Sequence, residues 1–285
     1  MSQSQSILTV TLRGVELGSG HPSICVPLLA TTAAGLEDAA RHLDPADLDL
    51  VELRIDHLGA LDDPASVREA IRSVREGLPA DVPVLFTFRT TREGGQHALD
   101  DDGYEALIAL AVATGGVDAV DVEMDTPREH LTRIVSNTHA AGVPVVMSWH
   151  DFAGTPSVSE MVDRLVTQQE LGADVVKLAV TPRSPHDVLA LLTATSLFST
   201  DHATRPAITV SMGPLGVVSR ISGHTFGSCV TFGMVGSASA PGQLAAHDLR
   251  TVLGVLGATA PSAGRRRVAR SAATRSAPGG DNSGE

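Results

Sequence analysis

Short apolar runs alternate with amphipathic stretches along most of the chain, a rhythm that points to repeated strand and helix units. Eight runs read as strands: residues 23–30, 48–56, 82–89, 117–123, 143–150, 174–180, 207–211 and 228–233. The stretches between them carry helix-start signals. Asp63, Thr126 and Ser184 stand before Pro64, Pro127 and Pro185, which predicts a capping side chain ahead of a proline at the first helical position. Thr126 with Glu129, and Ser157 with Glu160, have capping-box spacing, and Gly142 and Gly172 end two helices directly before a strand. Eight βα units closing near Gly257 match the size of a (β/α)8 TIM barrel. A doubly wound open sheet is the alternative, but no GxGxxG follows the first strand. Weak alternation over 7–12, followed by Gly14, Gly18 and Gly20, predicts a short β-hairpin within an N-terminal extension, residues 1–22. The barrel takes 23–257, and 258–285, rich in Ala, Ser, Gly and Arg without apolar period, is expected to be a disordered tail.

In a strand alternate residues face opposite sides, and in a barrel one side is the axis. Over 50–56 this sends Val51, Leu53 and Ile55 out towards helices and leaves Glu52 and Arg54 pointing in. The same rule turns Phe86 and Phe88 out with Thr87 and Arg89 in, Val120 and Val122 out with Asp121 and Glu123 in, and Met147 and Trp149 out with Ser148 and His150 in. In the sixth strand Val176 and Leu178 face out and Lys177 faces in. Five consecutive strands thus aim ionisable side chains at the axis, most of them in the C-terminal half, where barrel enzymes carry their sites. Glu52, Asp121 and Glu123 balance Arg54, Arg89 and Lys177 in sign, as a buried cluster requires. Packed barrel interiors normally use branched apolar residues there, so the cluster favours catalysis over a purely structural ion network.

Lys177 is the only lysine among 285 residues. It sits within Val175, Val176, Leu178, Ala179 and Val180, where an ammonium is costly to desolvate. A lysine so placed is a candidate nucleophile towards a carbonyl or an ion-paired structural residue, and this stretch alone leaves both open. Composition narrows the partners. The net charge is −12; five arginines after Ala258 stand against Asp281 and Glu285, so the rest of the chain carries −15 and is a poor match for nucleic acid. No apolar run approaches the roughly 20 residues of a membrane span, and the polar MSQSQS start suggests a cytoplasmic protein. Cys25 and Cys229 each lie in an apolar run and read as buried thiols; with no histidine pair at helical ligand spacing, a zinc site is unsupported.

Six segments in order resemble the type I 3-dehydroquinate dehydratases: VELRIDHL (51–58), LFTFRTTREGG (85–95), VMSWHDF (146–152), GADVVKLAV (172–180), SMGPLGVVSR (211–220) and TFGMVGSASAPGQ (231–243). The resemblance implies a (β/α)8 homodimer of the shikimate and quinate pathways that dehydrates 3-dehydroquinate through a lysine Schiff base, with no cofactor or metal. It makes Lys177 the condensing amine, His150 the base and then the acid, and Glu93 the residue that orients the imidazole. Arg220 would clamp the substrate carboxylate. Ser239 and Gln243, expected at the start of the last helix, would favour an anion, and Glu52, Arg54 and Arg89 would contact ring hydroxyls. Two positions depart from the pattern: Pro27 stands where some members have a serine that contacts substrate, and Trp149 where a smaller polar residue is common. A class I aldolase acting on a sugar phosphate is the rival enzyme, with MGPLG and GSASAPG as possible phosphate loops. A barrel serving only as a binding module is the non-enzyme rival.

Overall fold

The period-two pattern produces a ring of parallel strands whose outer faces are covered by helices. The computed structural model describes residues 7–236, 240 and 242–258. Its strands are β1 (Val10–Leu12), β2 (Val15–Leu17), β3 (Ser23–Leu28), β4 (Leu50–Arg54), β5 (Val84–Thr87), β6 (Ala119–Glu123), β7 (Val145–Asp151), β8 (Val175–Val180), β9 (Ala207–Ser211), β10 (Val230–Met234) and β11 (Leu244–Ala245). Its helices are α1 (Ala33–Arg41), α2 (Pro64–Gly77), α3 (Asp101–Ala113), α4 (Arg128–Ala140), α5 (Val158–Glu170), α6 (Pro185–Leu197), α7 (Val217–Ile221), α8 (Gly223–Phe226) and α9 (Ala246–Ala258). Strands β3 to β9 pair in chain order, and β10 pairs with β3. A parallel bridge from Ala207 to Ser228, with Cys229 N–H donating to the Ala207 carbonyl at 2.7 Å, closes the ring. All eight expected barrel strands are present, most with shifted ends; 48–56, for example, shortens because a 3-10 turn begins at Ile55, while the strands expected at 143–150 and 228–233 each run one residue further, to Asp151 and Met234. The tail beyond Ala258 lies outside the described residues.

Local chemistry explains most of the boundaries. Asp63 caps α2 by accepting from Ala65 N–H at 3.0 Å and Ser66 N–H at 3.2 Å, with Pro64 in the first turn. Ser157 and Glu160 form the expected reciprocal box at α5, and Ser184 is the N-cap of α6. Gly142 (φ 73°) and Gly172 (φ 95°) take the left-handed conformation that ends α4 and α5. One expectation fails. Pro127 itself is the N-cap of α4, with extended ψ of 137°, so Thr126 falls one residue too early and its buried hydroxyl finds no partner among the described residues. The strand starts share another device: Ile24, Val84 and Val145 donate their N–H groups to Asp49, Asp118 and Asp174, each just ahead of the next strand.

Two apolar clusters follow from the alternation. Val51, Leu53, Ile55, Phe86, Phe88, Val120, Val122, Met147, Val176 and Leu178 belong to the outer layer beneath the helices. Cys25, Leu50, Leu85, Ala119, Val146, Val175 and Ile208 form an inner cluster together with Val10, Leu12 and Leu17 of the β1–β2 hairpin. The hairpin turns through Arg13 (φ 44°) and Gly14 (φ 90°), and Arg13 pairs with Asp118 at 2.6 Å. It thereby plugs the end of the barrel where the strands begin, leaving the other end free for polar groups. Both cysteines are buried free thiols.

Replacing Leu17, which is 1 % exposed, with Ala removes the innermost side chain of the plug. The expected loss is about 2–4 kcal/mol in urea denaturation; a loss below about 1 kcal/mol would mean that the hairpin merely rests on the barrel.

Candidate active site

Beyond the apolar floor, the next inward position on each of the five strands β4 to β8 is polar. Leu50 is followed by Glu52 and Arg54, Leu85 by Thr87 and then Arg89, Ala119 by Asp121 and Glu123, Val146 by Ser148 and His150, and Val175 by Lys177. Lys177 Nζ lies 2.8 Å from Asp121 Oδ2 and 3.4 Å from Glu52 Oε1, and 4.9 Å from the centre of the Phe232 ring. Glu52 Oε1 also accepts from Thr87 Oγ1 at 3.0 Å. On its other oxygen Asp121 accepts from Arg89 at 2.7 Å and from Ser148 at 2.6 Å. Arg89 in turn donates to Glu93 and Glu123, both at 3.1 Å, and to Ser148 at 2.9 Å. Thr90 satisfies Glu123 through its N–H and its hydroxyl. Burial would raise the Asp121 carboxyl, but the Arg89 and Lys177 charges outweigh it and hold Asp121 well below the usual carboxylate range.

Around this axis Glu52, Glu93, Asp121 and Glu123 outnumber the cations Arg89 and Lys177, so one carboxyl is a natural place for a proton. That group is Glu93. Burial pushes it up to about 9 against the lowering effect of Arg89, with Glu123 and Asp121 adding to the rise. Glu93 Oε2 lies 2.7 Å from His150 Nδ1. Burial, together with the Arg89 and Lys177 charges, drives His150 well below its ordinary value. Burial thus disfavours the charged form of both groups, and they meet across one short hydrogen bond. The loop that presents Glu93 needs its two glycines. Gly94 has φ 83° and lies under the Phe152 ring, 2.6 Å from where a Cβ would stand, while a Cβ on Gly95 would collide with the Arg89 carbonyl. Phe152 stacks against the His150 ring at 6.5 Å.

Two further arginines face the same space. Arg54 makes a bidentate pair with Asp56 at 2.8 and 2.9 Å, and Asp56 is completely buried. Arg220, on α7, is only 2 % exposed, and burial pushes its guanidinium down to about 10. A cavity of about 250 Å³ opens among these groups. Of the nine expected site residues, Lys177, His150, Glu93, Glu52, Arg54, Arg89, Arg220 and Gln243 line it; Ser239 lies outside the described residues. Gln243 is not at a helix start, however. It precedes the short strand β11, and α9 begins three residues later, at Ala246. Pro27 is buried in β3 opposite Glu52, and Trp149 faces outward as expected, with Nε1 donating to Asp125 at 3.0 Å.

Sequence reasoning missed Asp56, which fixes Arg54, and the apolar wall of Phe152, Ala179, Val210, Met212 and Phe232. Ala179 was within reach, since it continues the inward alternation two residues beyond Lys177. Asp56 carried no signal, because its pairing depends on the chain turning at Ile55. Among the described residues no cluster of three or more His, Cys, Asp and Glu side chains is arranged to hold a metal ion. An amine, an imidazole and a buried guanidinium around one cavity suit condensation with a carbonyl, proton transfer at a neighbouring carbon, and capture of an anionic group.

The family model described as type I 3-dehydroquinase matches residues 24–260. The 3-dehydroquinate dehydratase of Klebsiella pneumoniae subsp. pneumoniae is 44 % identical over 247 residues, covering 87 % of this chain and 98 % of that protein. That of Salmonella agona is 46 % identical over 248 residues, with the same coverage. The crystal structure of the type I 3-dehydroquinate dehydratase from Clostridium difficile, with covalently modified comenic acid, matches with a TM-score of 0.86 at 38 % identity, covering 89 % of this chain and 99 % of that one.

The raised Glu93 has a measurable consequence. Between its ordinary value near 4.5 and about 9 it keeps its proton in the folded protein and loses it on unfolding, so it lowers stability as pH rises through that window. Glu93→Gln removes this slope. Urea titrations from about pH 8 to about pH 9, above the histidine range, are expected to shift steadily in favour of the variant; parallel stability curves would show that Glu93 is ionised in the fold.

Proposed function

The chain belongs to the type I 3-dehydroquinase family, and on that premise we propose that Lys177, His150 and Glu93 carry its chemistry. The reaction is the dehydration of 3-dehydroquinate to 3-dehydroshikimate, a hydro-lyase step in the shikimate pathway that proceeds through a lysine Schiff base. The observation that carries the residue assignment is the chain's single lysine, its Nζ between Asp121 and Glu52 in the cavity that His150 also lines.

In this reading Lys177 Nζ attacks the ring ketone, and the carbonyl oxygen leaves as water when the carbon–nitrogen double bond forms. The positive iminium draws in the electron pair of the neighbouring C–H bond as His150 takes that proton. The resulting enamine expels the hydroxyl one carbon further on, and His150 returns the proton so that it departs as water. Hydrolysis then frees the product and the lysine. The Asp121 and Glu52 carboxylates support the reading because they already balance a positive nitrogen at that point. Glu93 fits the role of holding the imidazole and sharing its proton. Arg220 suits the substrate carboxylate, with Gln243 lining the same cavity, and Glu52 and Arg54 suit the ring hydroxyls; the family resemblance adds Ser239 to the carboxylate contacts. Arg89 shares that wall, but the donors described above are committed to four neighbours, which supports a role in shaping the others.

No helix among the described residues is long and apolar enough to cross a membrane. We place the enzyme in the cytoplasm as a homodimer on the family resemblance, and expect no nucleic-acid partner on the strength of its acidic body.

Borohydride reduction in the presence of 3-dehydroquinate tests the assignment. A single ligand-sized adduct on the Lys177 peptide is expected, and none in Lys177→Ala, whose turnover falls to background; undiminished turnover in that variant sinks the mechanism. His150→Ala is expected to keep the trappable imine while losing about 10²–10⁴-fold in turnover. A chain ending near Gly257 should keep full turnover, and its inactivity would overturn the view of the arginine-rich segment as an appendage.

A further inference from the structure

The residue that fixes the backbone under Lys177 comes from a helix. Gln168, in the last turn of α5, has no exposed surface, and its side-chain amide is turned towards β8. Lys177 N–H donates to Gln168 Oε1 at 2.8 Å, and Gln168 Nε2 donates to the Lys177 carbonyl at 2.9 Å. Both backbone polar groups of one strand residue are thus gripped by one amide, and that residue is the chain's single lysine. The two are only nine positions apart, with the left-handed Gly172 turning the chain from helix to strand between them.

We propose that Gln168 is a positioning residue, which aims Lys177 Nζ at the substrate carbonyl by locking the Lys177 peptide groups from behind the strand. The proposal rests on Lys177 as the condensing amine. A rotation of roughly 10° about the strand moves the far end of an extended lysine by about 1 Å, and misplacement of that size costs on the order of 100-fold in rate. An apolar side chain at 168 leaves a buried donor and a buried acceptor without these partners, and the strand shifts to recover them. The same face of α5 also seats the neighbouring strand: Arg164, four residues earlier, lies 3.8 Å over the Trp149 ring, next to His150. Trp149 is the only tryptophan, so its emission reports whether α5 keeps its place.

The experiment compares the full chain with Gln168→Leu and Gln168→Glu, reading the single-turnover rate of borohydride-trapped adduct on the Lys177 peptide, Trp149 emission, and the dissociation constant for 3-dehydroquinate in a Lys177→Ala background. Gln168→Leu is expected to slow trapping at least tenfold. Emission should stay at its original position, and adding Gln168→Leu to Lys177→Ala should change affinity by less than about twofold, since the substrate contacts lie elsewhere. In Gln168→Glu the carboxyl, once protonated, offers the same acceptor and donor as the amide, so trapping by this variant, relative to the parent, should recover as pH is lowered. Trapping at the parent rate in Gln168→Leu overturns the proposal while leaving Lys177 as the amine. So does a joint fall in rate, affinity and emission, which marks a residue that only supports the fold. An adduct of the parent protein on any other residue overturns both readings.

Discussion

Asp121 is the group on which the polar interior depends. Its two oxygens meet Arg89 and Ser148 on one side and Lys177 on the other, and the residue is 1 % exposed. A buried ammonium without a partner is untenable, and removing one member of such a pair typically costs about 3–5 kcal/mol. With Asp121 in place, neighbours can satisfy the remaining atoms: Thr87 serves Glu52, and Thr90 serves Glu123. The arrangement explains how a barrel with an apolar floor tolerates so many charges a few residues further along the same strands.

The charge balance of that interior has a chemical direction. Glu52, Glu93, Asp121 and Glu123 share the cations Arg89 and Lys177, while Arg54 is taken up by Asp56, and this excess of carboxyl groups suits a site where a positive iminium forms. Burial raises Glu93, so it meets His150 Nδ1 as a group that can share a proton across their hydrogen bond rather than as a fixed negative charge. Arg220 lines the same cavity, held by burial in an environment that strengthens its attraction for an incoming anion. Since the chain as a whole is acidic, positive potential in the cavity is local to the arginines that line it, Arg54 and Arg220 among them.

The scaffold divides the work along each strand. Where the strands begin, the hairpin and the inner apolar residues fill the barrel. At the other end the loops carry the groups that need particular backbone shapes, as the Gly94–Gly95 turn does for Glu93. Helix α5 then joins the two regions by reaching through the outer layer to the backbone of Lys177.

The strands, their order and the inward side chains were legible in the chain alone, because alternation with a period of two and the capping of helices are decided by residues close in sequence. That is why Glu52, Arg89, Asp121, His150 and Lys177 could be assigned to the axis from the alternation alone. Local rules also misled at Thr126, where a proline in an extended conformation moved the helix start, and at Gln243, where a short strand took the place of a helix. What only the tertiary structure decided was who meets whom. Lys177 lies 125 positions from Glu52 and 56 from Asp121, and its backbone is held by a helix residue whose sequence context is that of any buried polar side chain. Such pairings depend on the stagger between strands and on the seating of a helix against the sheet, and these are set by packing of the whole barrel, which no local stretch encodes.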